Sequence, residues 1–118
     1  MAYNEEIVTR IKQILILKEI DFSEKKMFGG VCIMVDDKMC CGTHTDKNSG
    51  ENLLLCRIGE RKQLEIEEDT NCIPMEFTGK PMKGYVYVLE NGFSTNDKLA
   101  YWIQLCLDFN PLAKKSKK

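Results

Sequence analysis

Val31-Cys32-Ile33-Met34-Val35-Asp36-Asp37-Lys38-Met39-Cys40-Cys41-Gly42 reads as two strands joined by a two-residue turn. Apolar residues fill both arms, and Asp36-Asp37 is a plausible hairpin turn between them. If that turn sets the register, Val35 faces Lys38, Met34 faces Met39, Ile33 faces Cys40 and Cys32 faces Cys41. Strand alternation then gives one sheet face Cys32, Met34, Met39 and Cys41, and the other Ile33, Val35 and Cys40. Both faces are apolar, so both need cover.

Upstream, Asn4 can cap a helix whose positive end suits Glu5 and Glu6. Ile7, Ile11, Ile14 and Leu15 recur at helical spacing, and the helix is expected to run to about Lys18. Asp21 and Ser23 are turn-prone, and from Lys25 the period becomes that of strands. Downstream, residues 45–51 read as a polar loop, and Leu53 to Ile58 as a strand closed by Gly59. Residues 60–68 form a short, mostly exposed helix with only Leu64 and Ile66 apolar. After an irregular stretch to Pro74 come Met75-Glu76-Phe77 and a late strand from Gly84 to Leu89. That strand puts Tyr85, Tyr87 and Leu89 on one side and Val86 and Val88 on the other. Asn91-Gly92 marks a turn. Ser94 or Thr95 caps a last helix with the stripe Leu99, Trp102, Ile103, Cys106 and Phe109, stopped at Asn110-Pro111.

This order predicts an α+β fold: a two-layer, mainly antiparallel sheet with an N-terminal and a C-terminal helix packed on one face. A partly apolar second face invites a partner, either another protein or a second copy of the chain.

The chain's 118 residues suit one domain, placed at 1–110, followed by a basic tail at 111–118 that is expected to be disordered. Net charge is −1, yet the last eight residues hold Lys114, Lys115, Lys117 and Lys118. The first 110 residues therefore carry 13 basic against 18 acidic groups. So acidic a body offers phosphates little, and only weak nucleic-acid binding is expected. No apolar run approaches the roughly 20 residues of a membrane span, and the acidic, polar start is unlike a secretory signal. A cytoplasmic protein without membrane association is the expectation.

Cysteines at 32, 40, 41, 56, 72 and 106 contain no Cys-x-x-Cys pair, and His44 is the sole histidine. Cys40 and Cys41, adjacent on a strand, are expected to point to opposite faces and so not to share an ion. The thiols read as small core hydrophobes, with no metal and no cofactor, although Cys32 and Cys41 as cross-strand neighbours could be oxidised together. A nucleophile pair of His44 with Cys41 or Cys56 lacks a third, orienting group. Gly29-Gly30 leads into a strand rather than a helix, so a bulge or tight junction is expected there, not a phosphate loop. Lys80 and Lys83 are expected to project from a bend. Lys25, Lys26, Lys80 and Lys83 would form a cationic interaction patch if their segments adjoin, with Tyr85 and Tyr87 available for stacking.

Lys25-Lys26-Met27-Phe28-Gly29-Gly30 and Phe77-Thr78-Gly79-Lys80-Pro81-Met82-Lys83-Gly84, in this order, resemble the N-terminal domain of the TfoX/Sxy family. The similarity runs from Tyr3 through the Trp102 helix. It implies a two-layer α+β unit from bacterial regulators that act with the cyclic-AMP receptor protein on competence genes. The family supplies no catalytic residues, and its full-length regulators carry a further C-terminal helical domain. A non-enzymatic regulatory or protein-interaction domain is the implied function. The alternatives are a nucleic-acid-binding module using the lysines and tail, and a cysteine-dependent enzyme.

Overall fold

Asn4 does cap the first helix: its Oδ1 accepts from the Glu6 amide at 2.8 Å. In the computed structural model, which describes residues 3–27, 30–46, 49–66, 71–77 and 80–112, that helix is α1, Glu5–Leu17. Then follow β1 (Ser23–Met27), β2 (Gly30–Val35), β3 (Lys38–Thr45), β4 (Asn52–Arg57), α2 (Glu60–Glu65), β5 (Cys72–Phe77), β6 (Lys80–Val88) and α3 (Asn96–Phe109). The strands form one antiparallel sheet in the order β1-β2-β3-β4-β6-β5. Asp36 and Asp37 both have positive φ, 54° and 61°, which matches the right-handed strand twist at a two-residue hairpin.

Both long helices cover the same sheet face. Ile7, Val8, Ile11 and Leu15 of α1 and Leu99, Trp102, Ile103 and Cys106 of α3 share one core with Ile33, Leu54, Val86 and Val88. Polar contacts fix the helices at their ends. Thr95 Oγ1 caps α3 by accepting from the Lys98 amide at 3.2 Å. Arg10 of α1 donates to the Phe93 carbonyl at 2.9 Å, and Trp102 Nε1 donates to the Gly92 carbonyl at 3.0 Å. At the far end of α3, Asn110 Nδ2 donates to the Val35 carbonyl at 3.1 Å. Among the described residues no buried side-chain nitrogen or oxygen lacks a partner.

The β2–β3 register departs from the expected one after two pairs. Val35 faces Lys38 and Met34 faces Met39, but Ile33 then faces Cys41 and Cys32 faces Gly42. Cys40 is the extra residue of a β-bulge. The bulge turns Cys40 and Cys41 to the same side, toward the helices, where both are buried. The expectation that they point to opposite faces is therefore corrected. So is the pairing of Cys32 with Cys41: Cys32 lies on the other face, with Met34, Met39 and Leu55. These four are buried within the single chain.

Four strand boundaries also differ. β1 already starts at Ser23, β5 starts at Cys72, and the late strand begins at Lys80 and ends at Val88. Lys80 and Lys83 thus sit in a strand rather than a bend. Asn91-Gly92 falls in a 3-10 turn, Glu90–Phe93, and a second such turn, Asn110–Leu112, follows α3. Gly29 and residues 113–118 of the tail lie outside the described residues. No helix among the described residues is long and apolar enough to cross a membrane.

Candidate interaction surface

Alternation along β6 sends Val86 and Val88 into the helix-side core and Tyr85 and Tyr87 to the opposite face. Both tyrosines are half-buried against Cys32, Met34, Met39 and Leu55, and burial pushes both phenols above their ordinary range. Tyr87 meets His44 edge-on with ring centroids 5.0 Å apart. Burial lowers the pKa of His44, and the charge of Asp46 works against that shift. Arg57 faces Tyr85 across the β4–β6 ladder, and its guanidinium lies 5.3 Å from the Tyr85 ring centroid and 5.9 Å from that of Phe109.

Beside the tyrosines the surface turns apolar. Ile73 of β5 lies opposite Tyr87 and is 41% exposed, and Leu64 of α2 is 70% exposed. A groove of about 360 Å³ runs between α2 and the β5–β6 hairpin, lined by Leu64, Ile66, Cys72, Ile73, Val86 and Lys83. Val86, Ile66 and Cys72 belong to or pack on the helix-side core, so this groove lies on the helix side of the sheet edge rather than on the tyrosine face.

Gly84 holds this corner together. Its amide donates to Gln63 Oε1 at 2.7 Å, and its carbonyl accepts from Ile58 and Gly59 at 2.9 and 3.0 Å. Its φ is +84°, and an added Cβ would lie 3.2 Å from the Gly59 backbone, so only glycine suits both conformation and space. The β5–β6 register shifts in this region. The last glycine of the Lys80-to-Gly84 motif therefore has a backbone role, seating α2 on β6.

The lysines picked out in the sequence are not neighbours in the sheet. Lys25 and Lys26 are exposed on edge strand β1, where Lys25 faces Cys32 and Lys26 faces Val31, so they point to opposite sides. Lys83 is exposed on β6, and β2, β3 and β4 lie between. Lys80 opens β6, and its side chain lies outside the described residues. What the structure does bring together is Tyr85, Tyr87, Arg57 and His44, with Ile73 alongside and Leu64 in the separate groove beside α2. Sequence reasoning missed Leu64 and Ile73 as surface features; their signal was apolar residues in otherwise polar, exposed segments.

No nucleophile–base pair forms at His44. Cys41 and Cys56 pair across β3 and β4 on the helix side, whereas His44 lies on the tyrosine side. Cys32 shares the tyrosine side, but burial pushes its thiol up to about 12, far from a reactive thiolate. On the helix side, the neighbouring Cys106 and Cys41 thiols lower the Cys40 thiol, with burial working against them. The partner thiols move up: Cys41 through its contact with Cys40 and burial, Cys106 chiefly through burial. Among the described residues no group of three or more His, Cys, Asp or Glu side chains is arranged to hold a metal ion.

The family model described as the TfoX N-terminal domain matches residues 18–110, which is β1 through the end of α3. No curated protein and no solved structure matches the chain.

Proposed function

The chain belongs to the TfoX N-terminal domain family, and from that premise we propose that it is a non-enzymatic regulatory domain that acts by binding another protein. The family match over most of the chain carries this reading. Two adjoining features supply its surface: the tyrosine side of the sheet, with half-buried aromatic rings, a guanidinium and Ile73, and the groove beside α2 at the β5–β6 edge, where Leu64 is outward. Aromatic and arginine side chains with partly buried bodies and polar tips are the types enriched where proteins bind one another. The separation of Lys25 and Lys26 from Lys83 by three strands favours a protein partner over a nucleic-acid backbone.

The partner class implied by the family resemblance is a transcription activator of the cyclic-AMP receptor type. Calorimetric titration of the full chain against that purified activator tests this. Saturable binding, weakened at least tenfold by Leu64→Asp or Tyr87→Glu in a still-folded chain, is expected. Absence of binding by the folded wild-type chain, or binding unchanged in both variants, would overturn the reading.

A further inference from the structure

The two edge strands of the sheet, β1 and β5, are not alike. β5 carries Pro74, which has no N–H to donate, and its register shifts between Pro74 and Glu76. Both features blunt an edge against further pairing. β1 has neither: it contains no proline or glycine, and it pairs with β2 in unbroken register. Met27 and Gly30 face each other across a connection of two residues, so they exchange both backbone hydrogen bonds. Alternation then gives Lys25 and Ser23 to the β2 ladder as well, and turns the N–H and C=O groups of Glu24 and Lys26 outward.

Ser23, Glu24, Lys25 and Lys26 are all exposed. Glu24 and Lys26 lie on the helix side, opposite Ile33 and Val31, and Lys25 lies on the tyrosine side, opposite Cys32. About Lys25 the charge pattern of the helix side is its own complement. An antiparallel second copy centred there sets Glu24 against the partner's Lys26, and Lys26 against the partner's Glu24. These are the same residues whose backbone groups point outward. Side-chain charge and backbone hydrogen bonding therefore select one register.

We propose that two copies of this chain pair through β1, antiparallel and centred on Lys25, joining their sheets edge to edge. Each Glu24–Lys26 pair exchanges both backbone hydrogen bonds, and opposite charges directly across a ladder stabilise it. The bridge from Lys12 of α1 uses Oε1 of Glu24, so Oε2 serves the partner's Lys26. Ile16, one turn beyond Lys12 on that flank of α1 and 63% exposed, adds apolar surface beside the junction. Lys25 meets its own copy on the tyrosine side, a like-charge pair that keeps the association weak and reversible. The groove beside α2 lies at the far edge of each sheet, so the pair carries a recognition surface at either end. The pairing itself is independent of what that surface binds.

Sedimentation equilibrium of the native full chain tests this. The weight-average mass should rise with concentration from 13.6 kDa toward twice that value, with half-association reached by about 1 mM. Glu24→Lys and Lys26→Glu, each alone, should weaken pairing at least about tenfold, because like charges then oppose across the edge. An equimolar mixture of the two variants should pair again, since the lysines of one copy then face the glutamates of the other. Lys25→Thr should tighten the association, and Tyr87→Glu should leave it unchanged. A native chain that stays at 13.6 kDa up to about 1 mM would overturn the proposal. So would pairing lost in Tyr87→Glu but kept in both β1 variants, or a mixture of folded variants that does not pair. Circular dichroism checks that the variants fold. Lys25→Thr changes only an exposed side chain, so its failure to tighten pairing counts against the proposal whatever the charge variants do.

Discussion

The two faces of the sheet are built to different rules. Against the helices, Val31, Ile33, Cys41, Leu54, Cys56, Val86 and Val88 form a continuous apolar surface closed by α1 and α3. On the other side a small cluster of Cys32, Met34, Met39 and Leu55 gives way to Tyr85, Tyr87, His44 and Arg57, whose polar ends remain partly exposed. The comparison teaches that one sheet can give one face wholly to cohesion and leave the other with half-exposed, polar-tipped rings, the face on which the proposed recognition would rest. A single bulge at Cys40 helps to sort the thiols between them.

The largest effects are expected on the helix side. Ile103 is fully buried, so Ile103→Ala should lower stability by about 2–5 kcal/mol in urea denaturation, and Trp102→Ala by about 3–5 kcal/mol. Trp102→Ala also removes the donor to the Gly92 carbonyl. Tyr87→Ala, from a half-buried site on the other face, should cost about 1 kcal/mol. Equal losses at Ile103 and Tyr87 would break the division between faces.

At the corner that supports the proposed surface, Gly84→Ala should cost about 1–3 kcal/mol, because a β-carbon would be placed in left-handed backbone close against Gly59. Hydrogen exchange should show α2 loosening first, and a stability unchanged from wild type would remove Gly84 from that role.

Alkaline pH probes both faces at once. Burial raises the Cys32 thiol to about 12, and Cys41 and Cys106 also titrate above the ordinary value of 9.0. The unfolded chain therefore releases these protons near 9 while the folded chain retains them. Their contribution is fully present below pH 9 and is lost as pH rises from 9 toward 12. Melting temperature should fall across that window under reducing conditions. Cys32→Ala should flatten only part of the fall, leaving the contribution of the helix-side thiols.

The smallest effects lie at the surface. Thr95→Ala removes the cap of α3 and should cost about 1 kcal/mol. Lys12 of α1 and Glu24 of β1 form a partly exposed ion pair, and Glu24→Gln should change stability by no more than about 1 kcal/mol. A larger loss would mean that β1 depends on that pair to stay on the sheet.

Much of this fold was legible in the sequence because its strongest signals are local. Asn4 and Thr95 cap the two long helices, the stripe from Leu99 to Cys106 is buried, and Asp36-Asp37 makes the turn. The bulge at Cys40 was not legible: alternation assumes an unbroken register, and nothing local to Cys40-Cys41 marks the inserted residue. β1 and the first residues of β6 were hidden for a related reason. Lysine, proline and glycine are poor strand formers, and it is ladder pairing with β2 and β5 that holds them extended. The tyrosines were read correctly as one side of a strand, but their union with Arg57, His44 and Ile73 required the strand order. The same order separates the lysines that motif reading had grouped.

The central proposal is that recognition uses the tyrosine side and the groove beside α2 at the β5–β6 edge, while the core under α1 and α3 supplies cohesion. Hydrogen–deuterium exchange of the full chain, with and without saturating cyclic-AMP-receptor-type activator, tests it most directly. The account predicts new protection in residues 60–66, 71–73 and 83–88, with α1 and α3 unchanged. Protection confined to α1 and α3, or no protection anywhere at saturating activator, would contradict it.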